Sequence, residues 1–148
     1  MTPARFERIN RVLDRRQPDL HVVVENVHKP HNLAAIARSC DAVGALNIHA
    51  VSRKPHIRMG QKAAMGTGKW LVLHQHNNTR DPLTALRQSG VQLVAVSPGD
   101  SARDFRELDY TRPTALVVGT ELDGLSQEAV GICDEEVLIP MSLSLIHI

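Results

Sequence analysis

The sequence predicts an α/β domain built on a mainly parallel sheet with helices on both faces. Three observations predict it. Short apolar runs recur along the 148 residues and are near-continuous rather than alternating, as strands buried on both faces are. Helix-length spacers separate these runs, which is the order of an α/β chain. The clearest spacer also carries helix punctuation, Pro30 and Asn32 at its start and Gly44 at its end.

The elements follow in order. Residues 2–17 read as a helix whose apolar stripe is Phe6, Ile9 and Leu13, with Arg5, Arg8, Arg11, Arg15 and Arg16 largely off it. Such a helix is either a docked surface element or one laid against an RNA backbone, and the pattern alone leaves both open. Strands are expected at His21–Val27, Asn47–Val51, Trp70–Leu73, Gln92–Val96, Ala115–Gly119 and Val137–Ile139. Helices are expected at Asn32–Val43, Arg80–Ser89 and Ser126–Ile132. Ligands of such sheets bind beyond the carboxyl ends of the strands, so the loops after Val27, Val96, Gly119 and Ile139 are the places for chemistry.

Composition narrows the function. The chain is 43% apolar, enough for one domain with its own core. It has no apolar stretch long enough for a bilayer and no signal-peptide core at its start, so a cytoplasmic protein without a membrane partner is expected. Cys40 and Cys133 form neither a disulfide framework nor a zinc spacing and read as small buried hydrophobes. His28 and His31 flank Pro30, and His74 and His76 alternate, but no acidic or Cys partner completes a ligand set, so no metal is expected. The absence of a Gly-x-Gly-x-x-Gly run argues against a nicotinamide enzyme.

Net charge is only +1, but it is lopsided. Residues 1–80 hold 13 Lys and Arg against 5 Asp and Glu, whereas residues 81–148 hold 4 against 11. No acid lies between Asp41 and Asp81, a stretch that carries Arg53, Lys54, Arg58, Lys62, Lys69 and Arg80. Such a segment offers phosphates many cations and nothing to repel them, which points to a nucleic acid. The aromatics are few (Phe6, Trp70, Phe105 and Tyr110), which disfavours a single-strand binder built on stacking platforms.

Two runs carry the chemistry. The first is His28-Lys29-Pro30-His31-Asn32-Leu33-Ala34-Ala35-Ile36-Ala37-Arg38-Ser39-Cys40-Asp41-Ala42-Val43-Gly44, after the apolar Val22–Val24. Taken alone, Asn32 could cap a helix and Arg38 could pair with Asp41 one turn on. An Asn at a strand-to-helix junction and an Arg on the following helix also suit contacts to ribose and phosphate. The second run is Leu116-Val117-Val118-Gly119-Thr120-Glu121-Leu122-Asp123-Gly124-Leu125-Ser126, a buried strand ending where a ligand can approach the backbone of Gly119. Alone, its glycines are ordinary turn punctuation.

The first run resembles the first motif of the SpoU-type RNA 2'-O-ribose methyltransferases. The second resembles that family's Gly-x-Glu-x-x-Gly segment through Gly119, Glu121 and Gly124, with Leu122 where the family commonly has Lys. The hexapeptide Asp109-Tyr110-Thr111-Arg112-Pro113-Thr114 resembles the tRNA-acting branch. The resemblance implies methyl transfer from S-adenosylmethionine to a ribose 2'-hydroxyl of tRNA, at the D-loop guanosine 18, in a homodimer of α/β-knot (trefoil) fold. It implies Arg38, Asn32 and Glu121 as catalytic residues and Val96, Ser97, Gly119 and Ile139 as cofactor positions. Arg8, Arg11, Arg15, His31, Arg53, Lys54, Arg58 and Lys62 are the expected RNA contacts. An rRNA substrate, or a non-catalytic RNA-binding fragment, are the alternatives.

The resemblance covers residues 1–141 and then stops. Where the family continues with a Gly loop, a Ser-Leu-Asn-x-Ser segment and a closing helix, this sequence reads Ser142-Leu143-Ser144-Leu145-Ile146-His147-Ile148. A last strand at Val137–Ile139 without a covering helix raises the same suspicion on physical grounds. The expected organisation is therefore a basic helical extension over 1–20, an incomplete methyltransferase domain over 21–141 and an atypical tail over 142–148. The knot-forming part, the third motif and much of the dimer interface would be missing. A natural short form with an improvised final strand is the alternative.

Overall fold

The computed structural model describes residues 1–52 and 70–142. In chain order these form α1 (Pro3–Leu13), β1 (Gln17–Val24), α2 (Pro30–Val43), β2 (Ala45–Val51), β3 (Val72–His76), α3 (Arg80–Gln88), β4 (Gln92–Val96), β5 (Arg103–Asp104), β6 (Thr114–Val118), α4 (Gln127–Ile132) and β7 (Glu135–Leu138). A short 3-10 turn, Phe105–Glu107, follows β5. The strands form one sheet in the order β3-β2-β1-β6-β4-β7-β5, and every pairing is parallel.

Successive side chains of a strand point to opposite faces, and the two core clusters divide accordingly. On one face Val24, Ile48 and Ala50 pack with Leu33, Ala37 and Cys40 of α2, and Leu20, Val22 and Leu73 close around them. On the other face Val23, Leu93, Ala115 and Val117 pack with Leu83 and Leu86 of α3 and Ala129 of α4. Both faces are thus covered, which is why β1, β4 and β6 read as unbroken apolar runs. Val23, Ile48, Leu83 and Leu93 have no exposed surface, and burying each such side chain stabilises the fold by about 1.5–3 kcal/mol.

α2 is the best-specified helix. Pro30 sits in its first turn, where its fixed φ suits the helix and its missing N–H costs nothing. Leu33, Ala34, Ala37 and Cys40 make its buried stripe, and Gly44 ends it at φ 86. A side chain at Gly44 would also press on the carbonyl of Arg15.

Several expectations need correction. α1 ends at Leu13, and no residue of it is buried, with Phe6 and Leu13 more than half exposed. β1 starts at Gln17 and stops at Val24, because Glu25 turns inward and Asn26 takes a left-handed conformation at φ 55. β3 runs over Val72–His76 rather than Trp70–Leu73. β5 was not expected, since only its pairing with β7 makes its two residues a strand. Arg53, Lys54, Arg58 and Lys62 lie outside the described residues, as do residues 143–148 of the tail.

Candidate functional site

Because every strand runs the same way, the loops after β1, β6, β4 and β7 share one edge of the sheet. A cavity of about 370 Å3 opens there, between the β1–α2 and β6–α4 loops. Asn26, Val27, His28, Lys29, Asn32, Ala35 and Ile36 line it from one side, and Gly119, Thr120, Glu121, Leu122 and Asp123 from the other.

The β6–α4 loop is folded on itself. Thr120 and Gly124 exchange backbone hydrogen bonds of 3.1 and 3.0 Å, and the Thr120 hydroxyl accepts from the Asp123 N–H at 3.0 Å. Gly119 must be glycine, since a Cβ there would overlap the Gly124 carbonyl. Glu121 and Leu122 stand exposed on this loop, Leu122 at 86%. An apolar side chain thus projects where the resemblance leads one to expect a lysine.

Asn32 is the third residue of α2, not its cap; the cap position is Lys29, to whose carbonyl the Asn32 N–H donates at 3.1 Å. Arg38 is exposed on α2, one turn beyond Ala35 and outside the cavity lining. Asp41 accepts from Arg16 at 2.6 Å.

Asn32, Gly119 and Glu121 therefore meet at one cavity. Val96 ends β4, Ser97 follows it and Ile139 follows β7, along the same sheet edge but off the cavity lining. The Ser97 N–H donates to the Val137 carbonyl at 3.0 Å, which fixes the start of that loop. His31 is exposed beside the cavity without lining it. Arg8 and Arg11 are exposed on α1 and Arg15 just after it, Arg8 lining a groove between α1 and Trp70.

Two features escaped the sequence. One is a histidine array on the sheet face that carries His21, His49, His74 and His76. His49 shares hydrogen bonds of 3.1 Å with both His21 and His76 and stacks on His74 at 4.5 Å. Burial first, then the neighbouring imidazoles, push the His49 pKa down to about 3. Among the described residues no group of His, Cys, Asp and Glu has the arrangement of a metal site.

The other is Glu25, 2% exposed at the cavity's inner end. It accepts the Thr79 hydroxyl at 2.6 Å and the Ser126 hydroxyl and N–H at 2.7 Å each. A lone carboxylate inside the apolar run His21–Val27 was the available signal.

The SpoU rRNA Methylase family matches residues 19–145. The chain belongs to that family. The tRNA (guanosine(18)-2'-O)-methyltransferase of Escherichia coli K12 is 45% identical over 141 residues, covering 95% of this chain and 62% of that protein. The A. aeolicus TrmH/SpoU tRNA modifying enzyme superposes with a TM-score of 0.87 at 38% identity, over 95% of this chain and 72% of that one. The AdoMet-bound rRNA methyltransferase from Sinorhizobium meliloti superposes with a TM-score of 0.73 at 26% identity, over 88% of this chain and 54% of that one. The chain thus spans less than two thirds of the length of the E. coli relative.

Proposed function

We propose that the protein transfers a methyl group from S-adenosylmethionine to a ribose 2'-hydroxyl of tRNA, at guanosine 18. The observation that carries this reading is the cavity that Asn32 from one motif and Glu121 from the other line from opposite sides. Neither side chain bonds another described residue there, so both are available to a substrate.

S-adenosylmethionine, when bound, supplies an electrophilic sulfonium methyl. The chain's own residues have the harder task, since a ribose hydroxyl must lose its proton as its oxygen attacks. Arg38 is permanently charged and holds the neighbouring phosphate while stabilising the developing alkoxide. Asn32 orients the ribose, and Glu121 accepts a hydrogen bond from the substrate. The half-buried, uncharged positions Val96, Ser97 and Gly119, with the exposed Ile139, end the neighbouring strands β4, β6 and β7 and suit an adenosine held by backbone groups. Arg8, Arg11, Arg15 and His31, with Arg53, Lys54, Arg58 and Lys62, would carry the RNA phosphates. A cytoplasmic homodimer with the family's knotted C-terminal part completes this reading.

The test is methyl acceptance from labelled S-adenosylmethionine by a tRNA transcript and by a 23S rRNA transcript, with nuclease mapping of the modified ribose. Labelling of the tRNA at guanosine 18 is expected. An rRNA substrate is the second reading, favoured by the rRNA-acting S. meliloti neighbour at 26% identity against 45% for the tRNA-acting relative. Salt-sensitive RNA binding without cofactor binding would overturn the enzymatic reading and leave an RNA-binding module.

A further inference from the structure

We infer that Glu25 is a positioning residue that holds the two walls of the cavity in register, an inference that rests on the methyltransferase reading. Its carboxylate receives three donors from two distant segments. Thr79, from the start of α3, gives its hydroxyl to Oε1. Ser126, from the start of α4, gives its hydroxyl to Oε1 and its N–H to Oε2. The Glu25 N–H donates to the Val118 carbonyl, the last residue of β6, at 2.8 Å.

Ordinary helix capping does not account for these bonds. Thr79 occupies the cap position of α3 yet makes no side-chain cap; Asn78 accepts the Asp81 N–H in its place. The Thr79 hydroxyl is therefore committed to Glu25. Ser126 does cap α4, accepting from Ala129 at 3.1 Å, and still gives its own proton to Glu25.

The consequence lies in where the anchored segments lead. Asn26, immediately after Glu25, takes its left-handed turn into the loop that leads to α2 and its Asn32. Ser126 closes the loop that begins at Gly119 and carries Glu121. One carboxylate thus fixes the root of each wall. A carboxylate buried to this degree tolerates only a full set of donors, so the geometry has few alternatives.

The test is Glu25→Gln. It preserves volume but presents an amide N–H2 to groups that now donate. The expected result is a kcat for tRNA methylation lowered roughly 10- to 100-fold, with KM for tRNA changed less than threefold, at a temperature where both proteins are folded. Amide exchange should quicken together in residues 26–32 and 119–126 while β4 and β6 keep their protection. A lower melting temperature with unchanged kcat and unchanged loop exchange would overturn the inference and leave Glu25 a stability residue. Should Glu25→Gln not fold, Thr79→Val and Ser126→Ala each remove one donor and should lower kcat severalfold; an unchanged kcat in both overturns the inference equally. If wild-type protein methylates nothing, the functional reading fails, and amide exchange alone decides the coupling.

Discussion

Arg16 Nη2 donates to Asp41 Oδ1 at 2.6 Å and joins the segment between α1 and β1 to the last turn of α2. The guanidinium is the more enclosed partner, with 9% of its side chain exposed against 25% for Asp41. Gln17 reinforces the same seam, its N–H donating to the Gly44 carbonyl at 2.8 Å and its side chain to Val43 at 2.6 Å. Asp41→Ala leaves Arg16 enclosed and unpaired, and should lower stability by about 1–3 kcal/mol. The urea midpoint reads this directly, and a shift worth less than about 0.5 kcal/mol, the scale of an exposed pair, would refute it.

Gly119→Ala should damage the site more than the fold. The added methyl meets the Gly124 carbonyl across a closed loop, so that loop must open. Loss of most methyl transfer, with the far-ultraviolet circular dichroism spectrum retained, is the expected outcome. Wild-type turnover would show that the loop's closure is irrelevant to activity.

Arg38→Ala should lower kcat by about 10²- to 10³-fold, the usual loss when a charged donor to a developing oxyanion is removed. Arg38→Lys should recover part of it, since a lysine keeps charge but not the planar fork. Full activity in the alanine variant would remove Arg38 from the mechanism.

The histidine array predicts acid sensitivity. Burial and mutual proximity lower the pKa of His21, His49 and His76, to about 3 for His49. Asp19 and Asp81 oppose the shift at His21 and His76 without reversing it. The folded state therefore binds fewer protons than the unfolded chain below the ordinary histidine pKa of 6.5. Its stabilising effect is complete above that pH and is lost as pH falls towards 3, with a slope near 1.4 kcal/mol per pH unit for His49 alone. Urea melts at pH 7.5 should give the plateau and those at pH 5.5 and 4.5 the slope, and His49→Gln should flatten it.

Much of the architecture was legible because it depends on local pattern. β1, β4 and β6 lie between covered faces, so their burial is written as runs of valine, leucine and alanine. Pro30 and Gly44 marked α2 within its true bounds. β5 had no pattern to read, for it is a strand only by virtue of β7 beside it. The candidate cavity was legible only in part, since Arg38, Val96, Ser97, Ile139 and His31 lie off its lining. Asn32, Gly119 and Glu121 stand in motifs with recognisable spacing, and the structure brings them to one cavity. Glu25 was not legible as a hub, because its partners lie 54 and 101 residues away. The histidine array was hidden for a similar reason: only strand register brings His49 beside His74.

The place of β6 in the sheet sets the order in which the protein can be made. Until β6 is synthesised, β1 with β2 and β3 forms one block and β4 lies outside it, with no strand to join them. β6 enters between β1 and β4 and fuses the two. Contacts spanning so much of the chain pay their closure entropy before they gain anything, which makes this docking a late and slow event. The cavity has one wall on β1's loop and the other on β6's. The proposed substrate cavity is thus withheld from a nascent chain until β6 has emerged and found its slot.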